Sequence, residues 1–243
     1  MIKKTLLILS AFVFITIFSG CDTLNQVAQT AGGALGNPSA FEIASALKEA
    51  LQQGTNKSSD KLSATNGYFG NALVKILFPP EAQKAEQALR AIGLNSLCDN
   101  VILSLNRAAE DAAKEAKPIF INSLKQLTLQ DATNILFGGE DAATQYFYRT
   151  TLNQLKEKFR PVINNSLSKV GATKYYGDVV TAYNKIPLVS TKLNPDLSDY
   201  VTQKAIEGLF KEIGKEEINI RQNLSARSTT LMQKVFGYAD TKK

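Results

Sequence analysis

Between residues 96 and 126, apolar side chains recur at the spacing of an α-helix. Leu97, Val101, Leu105, Ala108, Ala112 and Ile119 fall on one stripe when the chain is wound at about 100° per residue. Pro118, near the end of the stripe, lacks an amide hydrogen and is expected to kink the helix. The same period returns along most of the chain. Ile43, Leu47, Ala50 and Leu51 keep it after Asn37-Pro38, where a capping residue precedes a proline suited to the first helical position. A polar run through Asp60 then predicts an exposed or frayed second half. "ATNGYFGN" (64–71) is turn chemistry, and Pro79-Pro80 introduces a helix that ends near Gly93. Thr128 and Asp131 have the spacing of a capping box, opening a short helix that stops at Gly138-Gly139. Further helices are expected over 140–160, 161–169, 174–185, 197–221 and 226–236. No segment gives a convincing strand alternation. At 243 residues, 44% hydrophobic and 21% charged, the chain can bury a real core. The expected fold class is therefore all-α: a single globular domain of nine to ten helices over residues 38–243, without internal repeats.

Ahead of that domain stand Lys3 and Lys4, an apolar run from Leu6 to Phe18, and small Ser19-Gly20 before Cys21. A basic start, a short apolar stretch and small residues at the end predict a secretory signal over residues 1–20, too short for a comfortable membrane span. Ser19-Gly20-Cys21 resembles the bacterial lipobox, with Phe18 where leucine is usual; the alternative is an ordinary signal with a chance cysteine. Lipidation of Cys21 would supply the two or three acyl chains that stable anchoring needs. Residues 21–37 then form the acylated start and a small, polar tether of at most about 55 Å. Loss of Lys3 and Lys4 with the signal would lower a formal net charge of +6 by two. The remaining Lys and Arg are spread along the chain, and with export this argues against nucleic acid as a partner. The expected place is the bacterial cell envelope, lipid-anchored and facing the periplasm, with either membrane open. Cys98, at helical spacing from Leu94, Leu97 and Val101, reads as a buried thiol with no disulfide partner.

Five stretches carry a family resemblance: "LNRAAEDAAKEAKPIF" (105–120), "GGEDAATQYF" (138–147), "KVGATKYY" (169–176), "YNKIP" (183–187) and "DYVTQKAIEGLF" (199–210). Together they resemble the bacterial DUF4197 family, over roughly residues 40 to 237. The resemblance implies an exported, helix-rich bacterial protein. It implies no activity and hands over no catalytic residues.

The chemistry must then be sought in the residues themselves. There is no histidine, which removes Ser-His-Asp and Cys-His nucleophiles and every His-containing metal site. No G-x-S-x-G, Walker A or G-x-G-x-x-G pattern occurs. Ser45-x-x-Lys48 and Ser166-x-x-Lys169 lack their companion elements, and "NPDLSDY" (194–200) lacks the glycine and terminal glutamate of a calcium loop. No metal site or cofactor is expected. Three polar groupings remain. Arg107, Asp111 and Glu115 follow one another at i,i+4, which reads first as a salt-bridged boundary. In "GGEDAATQYF", Glu140 and Asp141 are expected to cap their own helix, while Asp141, Gln145 and Tyr148 continue the line of Leu152, Leu155 and Phe159 and would need buried partners or a cavity. On 197–221, Thr202 sits amid Ile206, Leu209 and Ile213, with Asp199, Gln203, Glu217 and Arg221 at the edge of the stripe. Tyr175, Tyr176, Tyr183 and Asn184-Lys185 add hydroxyls and an amide.

If these groupings converge, Arg107, Glu115, Asp141, Gln145, Arg149, Thr202 and Gln203 would line a ligand site; spacing leaves convergence open. The expected role is a non-catalytic binding or scaffold domain for an envelope protein partner or an apolar ligand. The alternative is a histidine-independent envelope hydrolase using carboxylate or tyrosine acid/base groups, with Glu115 or Asp141 as acid/base and Arg107 or Arg149 steadying negative charge. A third is retention of anionic lipid or cell-wall polymer.

Overall fold

Ser39 opens the first helix: its hydroxyl accepts the Glu42 amide at 3.2 Å while the Glu42 carboxylate accepts the Ser39 amide at 2.8 Å. The cap therefore lies two residues beyond Asn37, and Pro38 precedes the helix instead of starting it. The computed structural model describes residues 36–169, 171–184 and 196–242. The signal, Cys21 and all but the end of the tether lie outside them, as do Lys185 and Asn194-Pro195.

Nine α-helices are present among the described residues, and no strand: α1 (Ala40–Ser63), α2 (Gln83–Ala91), α3 (Asn95–Ala113), α4 (Ala116–Lys125), α5 (Leu129–Leu136), α6 (Ala142–Lys169), α7 (Ala172–Asn184), α8 (Ser198–Gln222) and α9 (Thr230–Asp240). The four longest, α1, α3, α6 and α8, pack in a ring, each against the next, and α3 also meets α8 across it. α7 covers α3 and α6, α2 lies on α3 and α7, α4 and α5 bridge α1 and α6, and α9 lies on α1. The capping box of Thr128 and Asp131 is present in full at the start of α5. Cys98 is buried and free, and burial pushes its thiol above the usual range.

Three expectations about elements are corrected. The segment 96–126 is two helices, not one kinked helix: α3 ends at Ala113, and Pro118 falls in the first turn of α4. A proline ring collides with the carbonyl four residues back, here Lys114, so the chain breaks before that contact. Conversely, 140–160 and 161–169 are one helix of 28 residues with exposed Pro161 inside it. Nor does the second half of α1 fray, because Gly54, Thr55, Ser58, Ser59 and Leu62 are buried. Small side chains let α8 come close: a Cβ at Gly54 would stand 3.7 Å from Glu216 Cβ.

Between α1 and α2 runs a segment that is neither helix nor sheet. Asn66 makes the turn at φ 67°, and from residue 73 to 78 exposure alternates: Leu73, Lys75 and Leu77 face solvent while Val74, Ile76 and Phe78 are buried. Period-two burial is the habit of a strand, yet here no partner strand exists among the described residues. Asn106 of α3 takes the partner's place, accepting the Ile76 amide and donating to the Ile76 carbonyl, both at 2.8 Å.

Candidate functional site

The buried charges of the bundle are consumed in fixing chain ends and loops. Glu110 of α3 accepts the Tyr68 and Phe69 amides, both at 3.2 Å, and Arg107 at 2.5 Å. Glu212 of α8 accepts Lys61 at 2.7 Å and Asn71 at 2.8 Å, tying α1 and the turn after it to α8. Burial pushes the Glu212 carboxyl up, but those two donors outweigh it and hold it below the usual range. Glu217 accepts the Ala143 and Thr144 amides at 2.8 Å and the Thr144 hydroxyl at 2.7 Å. Arg221 donates to Glu217 and to the carbonyls of Leu136 and Ile135. One ion pair on α8 thus places negative charge at the start of α6 and positive charge at the end of α5, as both helix dipoles favour. Arg227 caps α8 through the Ile220 and Arg221 carbonyls and reaches Asp240 of α9 at 2.7 Å.

This overturns the expected self-capping of "GGEDAATQYF". Glu140 turns to Gln222 and Asp141 to Gln145, while the first free amides of α6 go to Glu217. Asp141, Gln145 and Tyr148 are exposed; the buried face of α6 runs through Ala143, Phe147, Thr151, Leu155 and Phe159. The expected ladder from Arg107 to Asp111 is also replaced. Arg107 pairs with Glu110 and Asn66, and Asp111 accepts Lys114 and Ser166. Glu115 lines a surface groove with Pro118, Asn122, Gln154, Glu157 and Lys158. Arg149 sits with its guanidinium 5.8 Å from the Tyr146 ring. Thr202 and Gln203 border a third place, a hollow with Lys156, Arg160 and Asp199, where Arg160 and Asp199 pair at 3.2 Å. Thr202 is buried and its hydroxyl has no partner among the described residues; it does not return to its own helix. The structure brings Thr202 and Gln203 together and leaves Arg107, Glu115 and Asp141 in separate surroundings.

Between α1, α6, α8 and α9, a cavity of about 20 Å3 lies among Leu51, Gly54, Phe147, Ile213, Glu217 and Phe236. That is room for about one water, against the several hundred Å3 of a small-molecule site. The larger hollows are surface grooves. The one with most recognition chemistry, about 300 Å3, lies between residues 73–78 and α8. Its far wall is Tyr200, Lys204, Glu207, Gly208 and Lys211. Gly208 permits the close approach: a Cβ there would stand 2.8 Å from Tyr68 Cε1 and 3.1 Å from Val74 Cβ. Leu73 and Leu77, 61% and 50% exposed, flank Lys75 on the rim. Residue spacing missed this groove because its near wall is an apolar run, "LVKILF", with no polar alternation; the one cue was its position between turn residues and Pro79-Pro80.

The sequence pattern of the family described as "Protein of unknown function (DUF4197)" matches residues 37–237. The chain belongs to the DUF4197 family. No curated protein and no solved structure matches this DUF4197 chain. The matched span includes every helix from α1 to α8, the 72–79 segment and the Glu217–Arg221 clamp.

Proposed function

We propose that this DUF4197 protein is a bacterial envelope lipoprotein, held to a membrane through Cys21, whose helical domain is a non-catalytic binding module for a protein partner. The signal, lipobox and tether support the anchoring. The observation that carries the binding role is the groove between 72–79 and α8: an unpaired strand-like segment with two exposed leucines beside a wall rich in lysine. The engagement of Glu110, Glu212, Glu217 and Arg221 in loop and helix-end contacts supports a scaffold that presents a surface.

Anchoring is tested by Cys21→Ser in the native host: the chain should leave the membrane fraction or stay uncleaved, and normal processing with full membrane retention would overturn it. The binding face is tested by placing a photo-cross-linking amino acid at Leu77, Lys204 or Glu157 in cells. Discrete cross-linked species from Leu77 and Lys204, absent from Glu157, are expected. No species from either groove position would remove the reading.

A further inference from the structure

On the side of residues 72–79 turned toward α8, two main-chain groups have no protein partner among the described residues. Asn106 holds both the N–H and the C=O of Ile76 from one side, as an extended residue allows. The neighbouring Lys75 C=O and Leu77 N–H then project to the opposite side. There the Tyr200 hydroxyl reaches the Leu77 carbonyl at 3.1 Å and Lys211 reaches the Leu73 carbonyl at 3.5 Å, so this edge faces the groove. Lys75 C=O and Leu77 N–H themselves have no protein partner among the described residues.

An acceptor on one residue and a donor two residues later is the pair that a single residue of a parallel strand satisfies, its N–H going to Lys75 and its C=O receiving Leu77. An antiparallel strand can satisfy the same pair, with the N–H of one of its residues going to Lys75 and the C=O of another receiving Leu77. The Lys75 amide is already donated to Asn71 at 2.8 Å, and the Leu77 carbonyl is held by Tyr200. Charge narrows the occupant further. Lys204 pairs with Glu207 at 2.7 Å, a carboxylate whose charge Lys211 also feels, and the Lys75 ammonium lies 4.1 Å from the Phe69 ring. Neither Lys75 nor Lys211 makes an ion pair among the described residues, so three lysines against one glutamate leave the groove positive. Leu73 and Leu77 offer apolar contact at alternate positions, the usual division of labour when a peptide adds to a strand edge.

We infer that the groove takes an extended, acidic peptide segment of a partner protein, added as a strand alongside residues 75–77 with its main chain bonded to Lys75 and Leu77. This rests on the reading of the groove as the partner-binding face and names what enters it.

The test uses the signal-free chain with a fluorescein-labelled peptide of alternating Glu and Val, its lysine counterpart, and the Glu/Val peptide with N-methyl groups on alternate amides. The acidic peptide should bind, with the Leu77 amide resonance shifted and protected from exchange. Affinity should fall at least about tenfold with the N-methylated peptide, the lysine peptide, or the Lys75→Glu/Lys211→Glu protein. Both lysines are exposed, so that variant should unfold at the parent denaturant midpoint. Equal binding of acidic and N-methylated peptides, or no Leu77 shift at about 1 mM peptide, would overturn the inference. So would binding to phosphatidylglycerol vesicles that is lost in Leu73→Ser/Leu77→Ser, which would make the face a lipid surface. Loss of peptide binding with Leu77 cross-links retained would remove this inference alone, and loss of both would remove the binding face.

Discussion

Glu217 and Arg221 are 7% and 6% exposed, and neither charge would tolerate that alone. They are stable there because the carboxylate collects two amides and a hydroxyl while the guanidinium collects two carbonyls besides their mutual contact. Removing one partner strands the other. Arg221→Met is predicted to cost about 3–5 kcal/mol, read as a lower urea midpoint and a melting temperature lower by about 2–4 °C per kcal/mol. A loss under about 1 kcal/mol would show that the pair does not clamp α5 to α6. The i,i+4 spacing of this pair is plain in the sequence. Its burial is not, because the groups that make burial tolerable come from residues 135, 136, 143 and 144. Thr202 makes the opposite case. Its buried hydroxyl has no partner among the described residues, so Thr202→Val, which keeps the shape, should be neutral or stabilising by about 1 kcal/mol. Destabilisation beyond about 1 kcal/mol would reveal a bonding partner, such as a water.

Among the elements, the 72–79 segment depends on two contacts that a pattern of apolar residues does not announce. Asn106 supplies hydrogen bonds to both main-chain groups of Ile76 and is itself fully buried. Asn106→Ala leaves both groups buried and unpaired and should cost about 2–4 kcal/mol, with faster hydrogen exchange at Ile76. Gly208→Ala should cost about 1–3 kcal/mol, since the new methyl meets the ring of Tyr68, whose hydroxyl is fixed to the Ala205 carbonyl at 2.6 Å. Unchanged stability in Gly208→Ala would mean that the segment can retreat from α8. Helix starts at Thr128 and the all-helical character were legible, because caps and the 3.6 period are local. The break before Pro118 and the continuity through Pro161 were not. The same residue ends one helix and rides inside another, according to how much tertiary packing holds the flanking turns.

For the molecule as a whole, acid acts through contacts that join distant parts of the chain. Lys234 of α9 and the Ser39 amide and hydroxyl hold Glu42 of α1 down to about 2, from an ordinary 4.5. Glu212, linked to Lys61 and Asn71, is held low as well. A carboxyl lowered in the folded state stabilises it fully above the unfolded value and loses that contribution as pH falls toward the folded one. Stability should therefore be flat between about pH 6 and 8 and decline below about 4.5, with the Glu42 part disappearing by about 2. In Glu42→Gln the decline should be shallower; an identical slope would show that the α1–α9 contact is not titrating. Local pattern determined the helices, most of their order, the buried Cys98 and the membership in DUF4197, because each depends on residues within a few positions of one another. Tertiary structure decided which polar groups go inside, which helix end each one closes, and that "LVKILF" stands unpaired beside α8. A buried charge or a free strand edge is defined by what lies opposite it, and here that is chain 73 to 123 residues away.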